Sequence, residues 1–228
     1  MALGRQPSQI GVSVALAVVK DNHLTFNGIS YFRASSESLT IGAYGEKRTP
    51  LTKPNYLEVQ SDLPAPKLVI STATTVSIDF TNSTSVDVKL HLKPAGTGYS
   101  GSGDVAYNDL KSGKLKLVKL EMRLDAVKTA FNTSPAALAN FKSYGNDARA
   151  VQQIFIVLSA TEATTVTTAT SWTLTKQDNT LKLTTGSSNS TVVTFSAGTT
   201  YAYLLCKADW NSGKSAIDKF TDDQWSLS

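Results

Sequence analysis

Apolar and polar residues alternate with a period of two along the second half of the chain, between Val151 and Lys207. Successive side chains of a strand point to opposite faces of a sheet, so this alternation predicts β-strands. Three short polar turns between the runs predict that neighbouring strands are antiparallel. The predicted strands are 151–158, 171–176, 180–185, 191–195 and 199–205. We expect these strands to form an antiparallel meander.

The N-terminal part of the chain predicts three further strands, at 11–19, 23–27 and 29–33, with a turn at Asn27-Gly28. The apolar run at 10–19 resembles the hydrophobic region of a signal peptide. It lacks an Ala-x-Ala-type cleavage site, however, and it continues directly into a turn and a second strand. We therefore predict a buried strand, and ten residues are too few to cross a bilayer.

A hairpin is predicted at 76–80 and 86–92, because apolar residues alternate with polar ones in both runs. Pairing the apolar faces sets Asp79 opposite Asp87 on the outer face. Two facing carboxylates can form a cation site or a catalytic pair. The alternative, which we favour, is that both carboxylates are solvated and are offset by Lys89.

One helix is expected near 135–144, because Ser134 can cap it, Pro135 suits its first position and Gly145 can end it. The region 114–131 fits both helical and strand periods, and we favour a strand to about Leu124. Taken together, the patterns predict a mainly β fold. This fold is either an antiparallel β-sandwich of the jelly-roll type or a β-barrel.

Length and irregular segments suggest how this fold is organised. A chain of 228 residues that is 41% hydrophobic can fold as a single β domain, 1–228. Four prolines in 34–67 predict a long loop or extended arm, which either wraps its own domain or reaches a partner. The last residues, 208–228, are expected to form a loose tail whose Trp225 docks onto the body or onto a neighbouring molecule.

Basic residues concentrate in one stretch, whereas only 18% of the whole chain is charged and its net charge is +4. Such a stripe can bind a phosphate backbone, although a solvated strand face is the commoner role. The candidate nucleic-acid or partner contacts are Lys111, Lys114, Lys116, Lys119 and Arg123.

Catalytic and cofactor motifs are weak. Two histidines and the single Cys206 provide no zinc set, and neither H-E-x-x-H nor G-x-S-x-G occurs. The glycine-rich segment 94–103 matches a dinucleotide motif by letter, but no helix pattern follows it. The segment 208–215 resembles a phosphate loop only loosely, and we interpret it as a turn. We therefore expect a protein that is not an enzyme and that binds no cofactor.

Three functional classes remain. We favour a self-assembling structural protein, a virion component such as a capsid or tail protein that binds copies of itself. Its candidate assembly contacts are Pro50, Pro54 and Trp225. A carbohydrate- or cell-surface-binding sandwich is the second class, with Trp172, Tyr201 and Tyr203 as candidate aromatic contacts. The third class is a β-pore-forming toxin, in which 162–175 would enter the membrane as part of a hairpin.

Overall fold

The computed structural model describes residues 16–19, 22–36, 39–63, 70–79, 112–177, 180–186, 192–196 and 200–226. The predicted pairing of Asp79 with Asp87, the glycine-rich segment 94–103 and Lys111 lie outside the residues so described.

The described residues form thirteen strands, three α-helices and one 3-10 helix at Gly145–Asp147. The strands are β1 (Leu16–Val19), β2 (His23–Phe26), β3 (Ile29–Phe32), β4 (Ala43–Arg48), β5 (Tyr56–Asp62), β6 (Thr72–Asp79), β7 (Leu115–Glu121), β8 (Ala148–Ser159), β9 (Trp172–Gln177), β10 (Thr180–Thr185), β11 (Val192–Ser196), β12 (Thr200–Trp210) and β13 (Ile217–Asp223). The helices are α1 (Leu124–Asn132), α2 (Pro135–Ser143) and α3 (Ala160–Thr168).

Ten strands form one large sheet in the order β13-β12-β3-β2-β1-β6-β7-β8-β4-β5. The neighbours are antiparallel except for β1 and β6, which are parallel. Strand β12 also pairs with β8, so the sheet curls back on itself as a half-barrel. A second, three-stranded sheet has the order β11-β10-β9. The predicted mainly β, antiparallel fold is confirmed.

All five strands predicted in the second half of the chain are present, but they do not form one meander. Strands β8 and β12 pair directly in the large sheet, and only β9, β10 and β11 form a meander. The physical reason is α3, which follows β8 and separates it from β9. Strand β8 is almost entirely buried along its 12 residues, and so it takes a central place in the large sheet.

The predicted turn at Asn27-Gly28 is confirmed, and both residues have positive φ, at 52° and 77°. Such angles favour Asn and Gly in a two-residue hairpin loop, here between β2 and β3. The predicted helix near 135–144 is confirmed as α2. Helices α1 and α3 were not predicted. The region 114–131 fits both a strand and a helical period because its first part forms β7 and its second part forms α1.

Two segments predicted to be irregular contain regular structure. The predicted arm, 34–67, holds the β4–β5 hairpin, whose loop contains Pro50 and Pro54. The predicted tail, 208–228, holds the end of β12 and all of β13, which are antiparallel neighbours joined by a turn. A phosphate loop would need a helix at this position, and the chain forms a turn instead, as predicted from the sequence.

Buried side chains form two clusters on the two faces of the curled sheet. The larger cluster lies beneath α1 and α2, where Tyr44, Phe131 and Phe141 pack at ring-centroid distances of 4.5 to 5.9 Å. The smaller cluster contains Tyr31 and Phe155, whose rings pack edge to face at 4.7 Å. Both faces of the sheet are therefore packed, which gives its long strands their continuous apolar pattern.

Alkaline pH is expected to destabilise the fold, because burial raises the pKa of the Tyr31 hydroxyl and of the Cys206 thiol. In the unfolded chain these groups ionise near their ordinary pKa values, 10.0 and 9.0. Above those values the unfolded state releases a proton that the folded state keeps, so the free energy of unfolding falls as pH rises. The fall should approach about 1.4 kcal/mol per pH unit for each group.

Urea unfolding at about pH 8 and about pH 10.5 measures this loss, since the ordinary pKa values lie between these limits. A Cys206→Ala variant should lose less stability between the two conditions than the native chain, because one of the two groups is gone. Equal stability of the native chain at both pH values would contradict the assignment.

Candidate assembly surface

The predicted basic stripe does not form one surface. Lys116 and Lys119 point to opposite faces of β7, since buried residues of the two separate clusters alternate along this strand. The Lys119 ammonium lies 2.8 Å from the Glu121 carboxylate and is mostly buried. Arg123 forms an exposed ion pair of 3.0 Å with Asp125.

Lys114 is held by a backbone contact with α3. Lys114 precedes β7, and its backbone carbonyl accepts a hydrogen bond from the first residue of α3 at 2.9 Å. Lys111 lies outside the described residues. The stretch is therefore continuous in sequence but divided in space.

The aromatic residues proposed for carbohydrate binding form no exposed platform. Tyr201 and Tyr203 are completely buried. Trp172 is half-buried, and its indole N–H donates to the Val166 carbonyl at 2.6 Å. The first half of the segment proposed as a membrane hairpin, 162–175, lies in α3, whose start carries a complete capping box at Ser159.

The three candidate assembly contacts do come together. Pro50, Pro54 and Trp225 line one groove of about 320 Å³. Its remaining walls are Asn22, Leu51, Thr52, Lys53, Asn55 and Ser226. Pro50 and Trp225, which are far apart in sequence, thus share one surface, which consists of the loop between β4 and β5, Asn22 and the end of the described chain.

The loop at residues 49–55, here the Pro50 loop, is held by the hairpin below it. Arg48 and Tyr56 are paired at the end of the hairpin. The guanidinium group of Arg48 contacts both Glu46, at 2.9 Å, and Glu58, at 2.5 Å. The glutamate pair raises the pKa of this arginine, chiefly through the hydrogen bond that Arg48 donates to Glu58. The loop therefore projects from a fixed base.

Leu51 at the tip of the Pro50 loop is completely exposed, with a relative accessibility of 104%. Among the described residues it is the one large hydrophobic side chain that is exposed. This residue was not predicted from the sequence, although a lone leucine between turn-forming Pro50 and Thr52 is a usable signal. An apolar side chain at a loop tip has no role in the core of its own chain.

The C-terminal segment, residues 224–226, is fastened to its own chain. The Trp225 backbone N–H donates to the Ser30 carbonyl at 2.9 Å. Its indole ring stacks on His23, with centroids 4.1 Å apart and planes inclined by 10°. The Asn55 side chain then bridges the Pro50 loop to this segment by donating to the Ser226 carbonyl at 3.4 Å. Trp225 therefore docks onto its own body, and it forms one wall of the groove.

A half-buried charge cluster lies below the Pro50 loop. The Lys47 ammonium lies 3.0 Å from the Asp223 carboxylate, which also accepts a hydrogen bond from the Arg149 guanidinium. Arg149 further donates to the Asn146 carbonyl at 2.7 Å. Since these side chains come from β4, β8 and β13, the cluster joins three strands beneath the candidate surface.

A second cavity of about 410 Å³ is also bordered by Pro50. Tyr56 and Asp147 form part of its wall, together with Glu46, Lys47, Arg48 and Thr49. Asp147 has no ion-pair or hydrogen-bond partner for its carboxylate within the described part of the chain. Lys53, which lines the first groove, likewise has no partner there.

Within the described ranges, no group of three or more His, Cys, Asp or Glu side chains could hold a metal ion. No helix in these ranges is both long enough and apolar enough to cross a membrane. Comparison with protein-family models, with curated proteins and with solved structures finds no significant match.

Proposed function

We propose that this protein is a non-enzymatic, self-assembling structural protein whose partners are copies of itself. The observation that carries the proposal is the completely exposed Leu51, held at the tip of a braced loop beside two cavities. Burying such a side chain is worth about 1.5–3 kcal/mol, which is a strong anchor for a protein contact. Within this class, we propose a virion component, a capsid or tail protein.

The composition supports repeated contacts between copies. Only 18% of the residues are charged, against about a quarter in typical soluble domains. Depletion of charge is a feature of the buried centre of protein interfaces, because desolvating an unpaired charge is costly. A chain that places hydroxyl and amide groups where lysine and glutamate usually stand can be covered by neighbours on several sides.

Size-exclusion chromatography with light scattering, followed by negative-stain microscopy of the purified protein, tests this proposal. Shells, tubes or regular oligomers would support it, and a strict monomer would overturn it. Rings that form only with liposomes would favour a pore-forming toxin instead. A monomer retained on a polysaccharide column would favour a carbohydrate-binding module.

Leu51→Asp is expected to abolish or strongly reduce assembly without unfolding the chain, because this side chain contacts solvent alone. A charge buried at the centre of a contact lacks a partner and costs several kcal/mol. The readouts are the mass from light scattering and the thermal midpoint of unfolding. Leu51→Met is the matched control, since it keeps an apolar side chain of similar size and should assemble as the native chain does. If the Leu51→Asp variant assembles as the native chain does, Leu51 is not part of the contact.

A further inference from the structure

We propose that two copies bind through a two-fold symmetric contact centred near Pro50. In this contact the Leu51–Lys53 side of each Pro50 loop enters the 410 Å³ cavity of the other copy. The inference rests on the proposed self-assembly and names the surface through which the second copy binds.

The arrangement of the two cavities is the first argument. Pro50 borders both of them, so they adjoin one another at this residue. Leu51 and Lys53 line one cavity, and Tyr56 and Asp147 line the other. A two-fold axis placed between two adjoining cavities sets each cavity of one copy against the other cavity of its partner. Both halves of the contact are present on one chain, as a self-complementary contact requires.

The receiving cavity is large enough for a leucine side chain. An engineered protein cavity of about 150 Å³ binds benzene, which has more carbon atoms than a leucine side chain. The cavity near Tyr56 is larger, at about 410 Å³. Pro50 and Tyr56 contribute the apolar rings of its wall, and the other residues that line it are polar or charged.

Charge complementarity is the second argument. The other charges around the receiving cavity are already paired: Lys47 contacts Asp223, and Arg48 contacts Glu46. Among the described residues, this leaves one carboxylate in the cavity wall, Asp147, without a cation. In the Pro50 loop, Lys53 is a cation that has no carboxylate partner among the described residues. The two-fold operation sets each Lys53 opposite the partner copy's carboxylate, and it forms this ion pair twice.

Symmetry also sets the product of this contact. An isologous contact closes on itself and joins two copies only, whereas a head-to-tail contact continues into rings or filaments. A larger particle would then be built with dimers as its units. Dimers should therefore be the first species to appear as the concentration rises.

Charge reversal tests the pairing. Lys53→Glu and Asp147→Lys should each raise the dimer dissociation constant about tenfold, because each change replaces two attractive pairs by two repulsive ones. The variant carrying both changes on one chain should dimerise as the native chain does. Sedimentation velocity over a concentration series measures the dissociation constants. Lys182→Glu, an exposed charge reversal in the small sheet, is the matched control and should have no effect.

Mixing the two single variants adds a test of symmetry. One chain of each kind should form a dimer, in which both ion pairs are again attractive, and this dimer should be the first species to appear as the concentration rises. Growth by single chains, with no dimer stage, would contradict the two-fold contact and favour a head-to-tail one. A native chain that assembles while neither charge change matters would overturn this inference and leave the proposed function standing. A native chain that stays monomeric would overturn both.

Discussion

Gly45→Ala is expected to destabilise the protein by at least about 3 kcal/mol, or to prevent its folding. A Cβ atom at this position would lie 2.0 Å from the backbone carbonyl oxygen of Glu58 and 3.0 Å from the backbone nitrogen of Gln60. The obstacle is the neighbouring strand itself, so no side-chain rotation can relieve the clash. The β4–β5 register shifts between Tyr44 and Gly45, and this bulge brings the two backbones together.

The β4–β5 hairpin also carries the Pro50 loop, and therefore Gly45→Ala should lose assembly together with stability. Denaturant unfolding followed by circular dichroism measures the loss of stability. Gly213→Ala is the matched control, because its nearest contact would be an ordinary 3.8 Å from the Ser215 hydroxyl. This control should stay within about 0.5 kcal/mol of the native chain. Equal stability of the two variants would show that β4 and β5 are not packed as described.

Asp223→Asn is expected to cost about 3 kcal/mol, because it leaves Lys47 and Arg149 close together without their shared counter-ion. The side chains are only partly accessible, at 14% for Lys47, 9% for Arg149 and 18% for Asp223, so water cannot replace the carboxylate fully. Asparagine keeps the size of the side chain and can still accept a hydrogen bond, so the loss reports the charge. The same unfolding assay measures the cost.

The control for Asp223→Asn is Asp209→Asn, which removes the acidic partner of an exposed ion pair. Asp209 lies 3.5 Å from Lys219, and the two side chains are 46% and 64% accessible. Exposed pairs contribute about 0–1 kcal/mol, so this change should be nearly neutral. If both aspartates cost the same, the cluster beneath the Pro50 loop does not hold β4, β8 and β13 together.

The strands of the second half were predictable because their pattern is local. Alternating β-branched residues and polar turns set the strand bounds without any knowledge of their partners. The sheet order was not predictable, since it depends on pairings between distant segments such as β12 with β8 and β1 with β6. Helix α3 was also not predicted. In this helix, four threonine hydroxyls donate hydrogen bonds to backbone carbonyls one turn earlier. A threonine-rich run suggests a strand, and here the capping box at Ser159 overrides that preference.

The candidate surface was predictable in part. Pro50, Pro54 and Trp225 were identified as assembly contacts because a proline-rich arm and a tail often reach partners. The structure shows a hairpin and an edge strand instead, yet it still brings these three residues to one groove. Their proximity depends on the Trp225 contacts with Ser30 and His23, which no local pattern encodes.

Sedimentation velocity of the native chain over a hundredfold range of concentration, with Leu51→Asp measured beside it, tests the central claim most directly. We predict that the mass of the native protein rises from the monomer value of 24.4 kDa towards assembled species, and that the Leu51→Asp variant stays at 24.4 kDa. A native chain that remains at 24.4 kDa at every concentration would contradict the account.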